Sequence, residues 1–399
     1  MDMWDNSNGT GVEAIYVTMS AQRFKFLMRC LRFDDIRTRD QRKALDKLAP
    51  IREIFEDFVS NSKNSFNPSD YLSIDEQLVE FRGNCPFRQY IPSKAAKYGI
   101  KIYALASASN LLANLEVYVY SQPDGPYRVS NSANDLVLRL VEPVVGSNRN
   151  ISLGNWFVSL QLAVTLLKEK SLTLVGTIRG NRREVPQNFL ADKDREVHTS
   201  LFGYHEKATL VSYVPRKNKA VIALSTMHKV GEIDPSTGDK QKPVIITTYI
   251  ETKFGVDILD KMCKQYDTAR NSRRWPLTIF FHLLNVGGVN ALNIYRANHN
   301  NENVIRYKYL STRALDLMKP AIHRRISITT LPKEIQERGK LLLGIKDRVE
   351  EQPERINASK GRCSQCGRAK DKKVKTTCEK CNNFTCPDHM KKICVRCYE

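Results

Sequence analysis

Cysteine is nearly absent from the first 360 residues. Only Cys30, Cys85 and Cys263 occur there, and the other seven of the ten cysteines lie in the last 37 residues. That distribution excludes a disulfide framework. It points to free thiols in the body of the chain, a metal module at one end and an intracellular setting. Long hydrophobic runs are equally scarce. The one that stands out, Trp275 to Tyr295, is interrupted by His282, Asn285, Asn290 and Asn293. It is therefore expected to be a buried helix, with no membrane partner. Met1 to Asp5 carries two acids and no basic n-region, so no secretory leader is expected. No internal repeat or long low-complexity tract is visible.

Acidic charge is also in short supply. Sixty-three Lys and Arg stand against 43 Asp and Glu, a net charge of +20. Such a balance favours a polyanionic partner, most simply nucleic acid; an anionic membrane or a merely solubilising surface are the alternatives. From Phe81 to Leu115 there is no acid, while Arg82, Arg88, Lys94, Lys97 and Lys101 fall in that window. The 399 residues, 41% hydrophobic and 27% charged, suffice for two or three globular domains.

Periodicity divides the chain. Residues 1–16 read as a ragged polar start. Phe24, Leu27, Met28 and Leu31 recur at helical spacing behind Ser20, and a second helix is expected over 45–60. Strands are expected over 71–81, 100–108 and 114–120, a short helix over 135–141, and a strand at 151–153. A helix through Phe157 to Leu167 and a strand over 171–178 follow. Adjacent strands followed by alternating helices and strands suit a mixed α/β sheet. Residues 208–214 and 219–226 read as strands of a charged, β-rich insert, and Val244 to Tyr249 returns to β character. Helices are expected from about Phe254, over 275–298, over 307–319 and near 332–343. Residues 346–360 read as a linker.

Three groups of residues carry chemistry. At the C-terminus Cys363-x2-Cys366, Cys378-x2-Cys381, Cys386-x2-His389 and Cys394-x2-Cys397 supply eight ligands. A two-residue spacer lets a tight knuckle present both members of a pair to one tetrahedral ion, so eight ligands fill two Zn²⁺. A segment of this size can hardly build a core unaided, and metal would supply its folding energy. The favoured pairing is a cross-brace, with Cys363, Cys366, Cys386 and His389 on one ion and Cys378, Cys381, Cys394 and Cys397 on the other. Arg368, Lys370, Lys372, Lys373 and Lys375 crowd the loop between the first two pairs, a phosphate-contacting surface or else a solvated loop. The second group is Asp257 and Asp260, which three-residue spacing places on one helix face. Asp is common in a first helical turn because it suits the helix dipole, so this signal is weak alone. The third is Asp75, an acid on an apolar strand that precedes the acid-free stretch. An Asp at a strand end is more often a turn or cap residue. Three such carboxylates together could hold Mg²⁺, which takes oxygen ligands.

Several motifs, in order, resemble the piggyBac family of DDE/D transposases. They are Ser73-Ile74-Asp75-Glu76-Gln77, Phe81-Arg82-Gly83 with Cys85-Pro86-Phe87-Arg88, and Tyr98-Gly99-Ile100-Lys101. Asn155-Trp156-Phe157, Val175 to Arg179, Gly255-Val256-Asp257 with Leu259-Asp260, Asn271 to Pro276 and the terminal Cys/His array complete the set. The resemblance runs from about Thr18 to the end. It implies an RNase H-like mixed-sheet catalytic core, a β-rich insertion, a split helical dimerisation and DNA-binding domain, and a small zinc domain that binds DNA. The layout it suggests is helical over 1–70 and core over 71–180. An insertion over 181–243, core again over 244–266, helical again over 267–345, a linker over 346–362 and a two-zinc domain over 363–399 would follow. Active members cut and paste double-stranded DNA at TTAA through hairpin ends, with Mg²⁺ or Mn²⁺. A homodimer and a nuclear location are implied.

The resemblance carries the catalytic carboxylates onto Asp75, Asp257 and Asp260. It fails at one of them: Gly154 stands where the family has an Asp before Asn-Trp-Phe. Neither Leu153 nor Asn155 can replace an anionic ligand. Losing one removes charge that water cannot restore, and about 1.4 kcal/mol of lost transition-state binding costs tenfold in rate. Phe254 replaces a Gly often found before Gly-Val-Asp. The acidic N-terminal extension usual in the family is missing, as expected of a decayed or domesticated copy or a shortened reading frame. The expectation is a transposase-derived DNA-binding protein with defective catalysis, using Arg270, Arg273 and Arg274 together with the 368–375 basics. A working transposase and a RING-like ubiquitin ligase module are the alternatives.

Overall fold

A computed structural model describes residues 2–5, 10–108, 111–299, 303–345, 360–367, 369–370, 372–378 and 381–391. The chain divides into two compact units. One comprises residues 25–315; the other combines 1–24 with 316–399.

The larger unit is built on one mixed sheet. Its axis is β1 (Tyr71–Glu80), antiparallel to β3 (Tyr98–Ser107) and parallel to β5 (Asn150–Leu153). Beyond β3 lie β2 (Arg88–Tyr90) and β4 (Leu112–Val117); beyond β5 lies β6 (Thr173–Thr177), parallel to it. The order then runs through β9 (Lys219–Ser225), β8 (Ala208–Arg216) and β7 (Ser200–His205), all antiparallel. The strands expected in a β-rich insert therefore extend the central sheet through the β6–β9 pairing. β7 was not expected from the sequence: its residues are mostly half-exposed or exposed and show little alternation.

Both faces of the sheet are covered, which is why β3 reads as nearly continuous apolar sequence from Ile100 to Ala106, broken only by Lys101. Ile100, Ile102, Ala104 and Ala106 point to one face. They pack with Phe55 and Val59 of α4 (Arg52–Ser65), Val256 and Leu259 of α8 (Gly255–Gln265), and Ile279, Val286 and Val289 of α9 (Trp275–Asn298). Leu72, Ile74, Tyr103 and Leu105 point to the other. They pack with α5 (Ala133–Leu140) and α6 (Leu160–Lys170). Ser132 and Ser159 cap these two helices, accepting from the N–H groups of Asp135 and Leu162. The second cap moves the start of α6 past Phe157, later than expected. The expected helix over 45–60 also begins later, at Arg52: Asp46, which is 2% exposed, holds the preceding turn through Arg52, Leu48 N–H and Gln122. The expected helix near 20–31 is α2 (Ala21–Cys30), followed by the short α3 (Arg39–Lys43).

Helix α9 is long and apolar enough to cross a membrane by length and composition alone. Three of its interrupting polar residues, His282, Asn285 and Asn290, are hydrogen-bonded inside the unit instead. Asn290 exchanges hydrogen bonds with the backbone of Leu112, and Asn285 binds Thr268 and Asp267.

The expectation of β structure at Val244 to Tyr249 is wrong. Val244–Thr252 is a helix, α7, entered through Pro243. Its Val, Ile and Thr content favours a strand by intrinsic preference. Burial of Ile245 and Ile246 against β6, β8 and β9 decides otherwise, and Thr247 and Thr252 return their hydroxyls to backbone carbonyls within the helix.

The smaller unit draws on both chain ends. Tyr16 and Val17 of α1 (Glu13–Thr18), in the stretch expected to be ragged, pack with Ile322, Ile326 and Ile335. These last come from the C-terminal part of α10 (Arg306–Ile326), which runs past the expected stop at Lys319 through Pro320, and from α11 (Lys333–Leu342). Arg325 donates to the carbonyls of Tyr16 and Val17, closing the end of α1. A short hairpin of β10 (Gly361–Arg362) and β11 (Lys373–Val374) opens the cysteine-rich segment.

Candidate active site and Cys/His cluster

Helix α8 has no side-chain cap of its own. Its first turn is closed by the sheet: the Val256 N–H donates to Ser73 Oγ on β1 at 3.2 Å. This close docking requires Gly255. A Cβ there would lie 2.8 Å from both Ser107 O and Ser73 Oγ, a clash only glycine avoids. Asp257 follows Val256, and Asp75 follows Ser73 by two residues on the same strand face. The two acids, 182 positions apart in the chain, are thereby brought into electrostatic contact. Burial chiefly, then the Glu76 and Asp257 carboxylates, push the Asp75 carboxyl above the usual carboxylate range; the Glu76 N–H and Lys94 oppose them. Lys94 Nζ is anchored on the Glu76 carbonyl at 3.0 Å. Tyr249 of α7, hydrogen-bonded to Thr177, feels the charge of both acids.

Gly154 adjoins this pair. The β1–β5 ladder ends at Ile74 opposite Leu153, so Gly154 is the next residue, level with Asp75. Ser73 faces Ser152 two residues earlier, and the Ser152 hydroxyl is bonded to Thr252 Oγ1 on the α7–α8 side of the sheet. A side chain at 154 continuing that alternation would point to the same side as Asp75. Space is available: nothing lies within 4 Å of a Cβ built there, and the backbone is outside the positive-φ region.

Asp260 lies one turn along α8 from Asp257, where it accepts from Lys264 Nζ at 2.6 Å. Asp75, Asp257 and Asp260 do not bring three ligand atoms together. Among the described residues only one group of three or more His, Cys, Asp or Glu does so within 4.8 Å, and it lies elsewhere. What the site offers is a pair of carboxylates with an open position beside them.

Beyond Asp260 a trough opens in the larger unit. One part, of about 580 Å³, lies along α8. It shares Arg270 and Asn271 with a second part of about 800 Å³, lined by Arg82, Arg88 and Arg273. Arg270 and Arg273 are exposed on its rim. Arg274 is used differently: it donates to the Met28 and Leu31 carbonyls, at the end of α2. At the floor is His282, 6% exposed, with Nε2 3.2 Å from Gln77 Oε1. Burial lowers its imidazole to about 4, so it is neutral at physiological pH. Sequence reasoning places Ser73 and Gln77 in the Asp75 motif and His282 as a break in an apolar run, but gives none of the three a site-forming role.

The group that does meet the 4.8 Å condition is Cys363, Cys366, Cys386 and His389. His389 Nδ1 lies 3.7, 3.6 and 3.2 Å from the three sulfurs, and Cys366 Sγ is 3.8 Å from Cys386 Sγ. Ligands bound at ~2.0–2.3 Å around a tetrahedral zinc stand about 3.5–3.8 Å apart. The Cys386 N–H bonded to Cys363 Sγ, its leading influence, holds that thiol down to about 6, towards the thiolate a metal takes. Cys378 and Cys381 form a separate tight turn with Asn382 and Asn383. Cys394, Cys397 and Arg368 lie outside the described residues. Lys370, Lys373 and Lys375 are exposed, and Lys372 pairs with Asp388 at 2.7 Å.

Sheet, acid pair and basic trough define a transposase-like α/β protein, and comparison with known proteins agrees. Residues 1–292 match the family model described as Transposase IS4. Human PiggyBac transposable element-derived protein 3 is 20% identical over 297 residues, 70% of this chain and 49% of its own length. The human chimeric ERCC6-PGBD3 protein is 20% identical over 297 residues, 70% of this chain and 28% of its own. The cryo-EM structure of the piggyBac transposase synaptic complex with hairpin DNA superposes with a TM-score of 0.80 at 32% identity. It covers 99% of this chain and 83% of that one. The chain belongs to the piggyBac family of transposases. It spans no more than about half the length of either human relative. The ubiquitin-ligase alternative finds no support in these matches.

Proposed function

We propose that this chain is a piggyBac transposase-derived protein that binds double-stranded DNA and has lost efficient catalysis. One observation carries the reading: Gly154, with open space where a side chain would be, stands level with Asp75. Asp75 and Asp257 would hold Mg²⁺ or Mn²⁺, hard ions that suit carboxylate oxygens, with Asp260 one turn behind. When bound, such an ion polarises a phosphate and activates a water. With one acid missing, its affinity and positioning are weakened. The persistence of the Asp75–Asp257 pair favours a second reading, residual transposase activity at TTAA sites.

DNA binding is supported by the net charge of +20, by Arg270 and Arg273 on the trough rim, and by the exposed Lys370, Lys373 and Lys375. The solved relative is itself a complex with hairpin DNA. In this reading Arg368 and Lys372 also contact phosphate, while Arg274 acts through packing. Two structural zinc ions complete the C-terminal domain. Cys363, Cys366, Cys386 and His389 hold one; Cys378, Cys381, Cys394 and Cys397 hold the other. The protein works in the nucleus as a homodimer, with the domain layout read from the sequence. Fluorescence anisotropy on a labelled duplex tests the DNA reading. Affinity should fall steeply between about 50 and 200 mM salt, as counterion release requires. Absent binding, or binding indifferent to salt, overturns it.

A further inference from the structure

We propose that β7 is a docking edge for a second copy of this chain, the two β7 strands pairing antiparallel about a two-fold axis at Phe202. This is a further contact, beside the homodimer of the proposed function, and does not rest on it. β7 ends the sheet. It pairs with β8 on one side, and among the described residues no strand pairs with the other. Proteins usually blunt such an edge with charge, proline or short length. β2, at the opposite end, is three residues long and carries Arg88. β7 is six residues, Ser-Leu-Phe-Gly-Tyr-His, with no Lys, Arg, Asp, Glu or Pro. On it Leu201 is 38% exposed and Tyr204 60%. At a net charge of +20, copies of the chain repel one another. An uncharged edge is where that repulsion is weakest.

The ladder selects the register. His205 and Ala208 close the two-residue turn between β7 and β8, and at the far end Val214 N–H donates to the Thr199 carbonyl. Hydrogen-bonded and open pairs alternate along an antiparallel ladder. The peptide groups of Leu201, Gly203 and His205 therefore bond to β8, and those of Ser200, Phe202 and Tyr204 point outward. A second β7 centred on Phe202 pairs Phe202 with its own copy, and Ser200 with the second copy's Tyr204, using outward groups on both strands. The same register sets Leu201 opposite the second copy's Gly203. That glycine adjoins an apolar recess of about 130 Å³, lined by Leu160, Phe189, Leu210 and Leu224. A Cβ at Gly203 would lie 3.0 Å from the Phe189 ring, on the wall of the recess. The space is close to the ~150 Å³ of cavities that hold one benzene-sized apolar group, and a leucine from the facing strand suits it. Ser200 Oγ, buried and without a hydrogen-bond partner among the described residues, comes to face Tyr204 of the second copy. An unpaired buried hydroxyl is costly, and the pairing offers it a polar neighbour.

The test is sedimentation velocity of the 399-residue chain, wild type beside Leu201→Lys, with circular dichroism to check folding. Position 201 is exposed in the single copy, so the lysine should leave the fold intact. In the pair it sets a charge against the apolar recess. Wild type should sediment at twice the mass of the variant or more, whatever its other contacts. Ser200→Cys combined with Tyr204→Cys tests the register. Hydrogen-bonded antiparallel pairs set Cα atoms about 5.5 Å apart, within the roughly 4.4–6.8 Å that a disulfide spans. On mild oxidation the double variant should cross-link between chains well beyond either single variant, which has no cysteine opposite its own in this register. Equal masses for wild type and a folded Leu201→Lys overturn the inference, as an edge reserved for a different protein would give. No excess cross-linking by the double variant also overturns it. If Leu201→Lys fails to fold, the cross-link alone decides.

Discussion

Gly154 stands level with Asp75, one residue beyond the Ile74–Leu153 pair that ends the parallel ladder between β1 and β5. A carboxylate at that position would share the side of the sheet on which Asp257 approaches Asp75. Gly154→Asp should therefore tighten Mn²⁺ binding by on the order of tenfold or more, comparable to the effect of altering supporting ligands in metal sites. Isothermal titration with Mn²⁺ checks this. Unchanged affinity would mean that position 154 does not face the acid pair.

Docking of α8 depends on the absence of a side chain at Gly255. Gly255→Ala would place a methyl 2.8 Å from Ser73 Oγ and Ser107 O. The helix must shift, and overpacking of this kind costs about 1–3 kcal/mol. Urea denaturation should show that loss; a change below about 0.5 kcal/mol would contradict the docking described.

The arginines near the trough separate by role. Arg274→Ala removes hydrogen bonds to the Met28 and Leu31 carbonyls and should lower stability by about 1–3 kcal/mol. Arg273→Ala, at an exposed rim position, should leave stability within about 0.5 kcal/mol and weaken duplex binding, with a shallower salt dependence. Thermal melts and anisotropy on both variants distinguish the two.

His282 makes stability depend on pH. Its folded-state value is about 4 against an ordinary 6.5, because burial opposes the imidazolium. As pH falls below 6.5 the unfolded chain takes up the proton first. Stability should decline from pH 6.5 towards 4 and then level off in this component, a loss of about 3 kcal/mol at most. His282→Gln should remove that component when urea titrations at pH 7 and pH 4.5 are compared with wild type.

Much of the site was legible in the sequence, and the limits have physical causes. Asp75 stood out as an acid in an apolar strand, Asp257 through its Gly-Val-Asp motif, and the first zinc-type cluster through its spacing. The Ser73–Val256 contact and the Gln77–His282 pair join residues about two hundred positions apart, and nothing local announces such pairings. Intrinsic preference makes the β-branched residues of α7 read as a strand, and packing of Ile245 and Ile246 overrides it. Asp260 was expected with the metal-binding acids but is held by Lys264, a neighbour on its own helix. The short α1 was missed because six residues offer too little periodicity, and its stability comes from contacts with the far end of the chain.

The C-terminal cluster predicts metal content. The 399-residue chain should carry two zinc ions by elemental analysis, and Cys363→Ser should retain about one, since the second site uses other ligands. A count of one or none in the wild type would contradict the two-zinc reading.

Catalysis is the most direct test of the whole account. The measurement is Mg²⁺-dependent nicking of a TTAA-flanked duplex end by the full chain, run beside Asp75→Ala. With Gly154 in place of a carboxylate, the two proteins should give the same background level of nicking. Robust cleavage by the unmodified chain, abolished by Asp75→Ala, would contradict the claim that the missing acid has disabled this transposase.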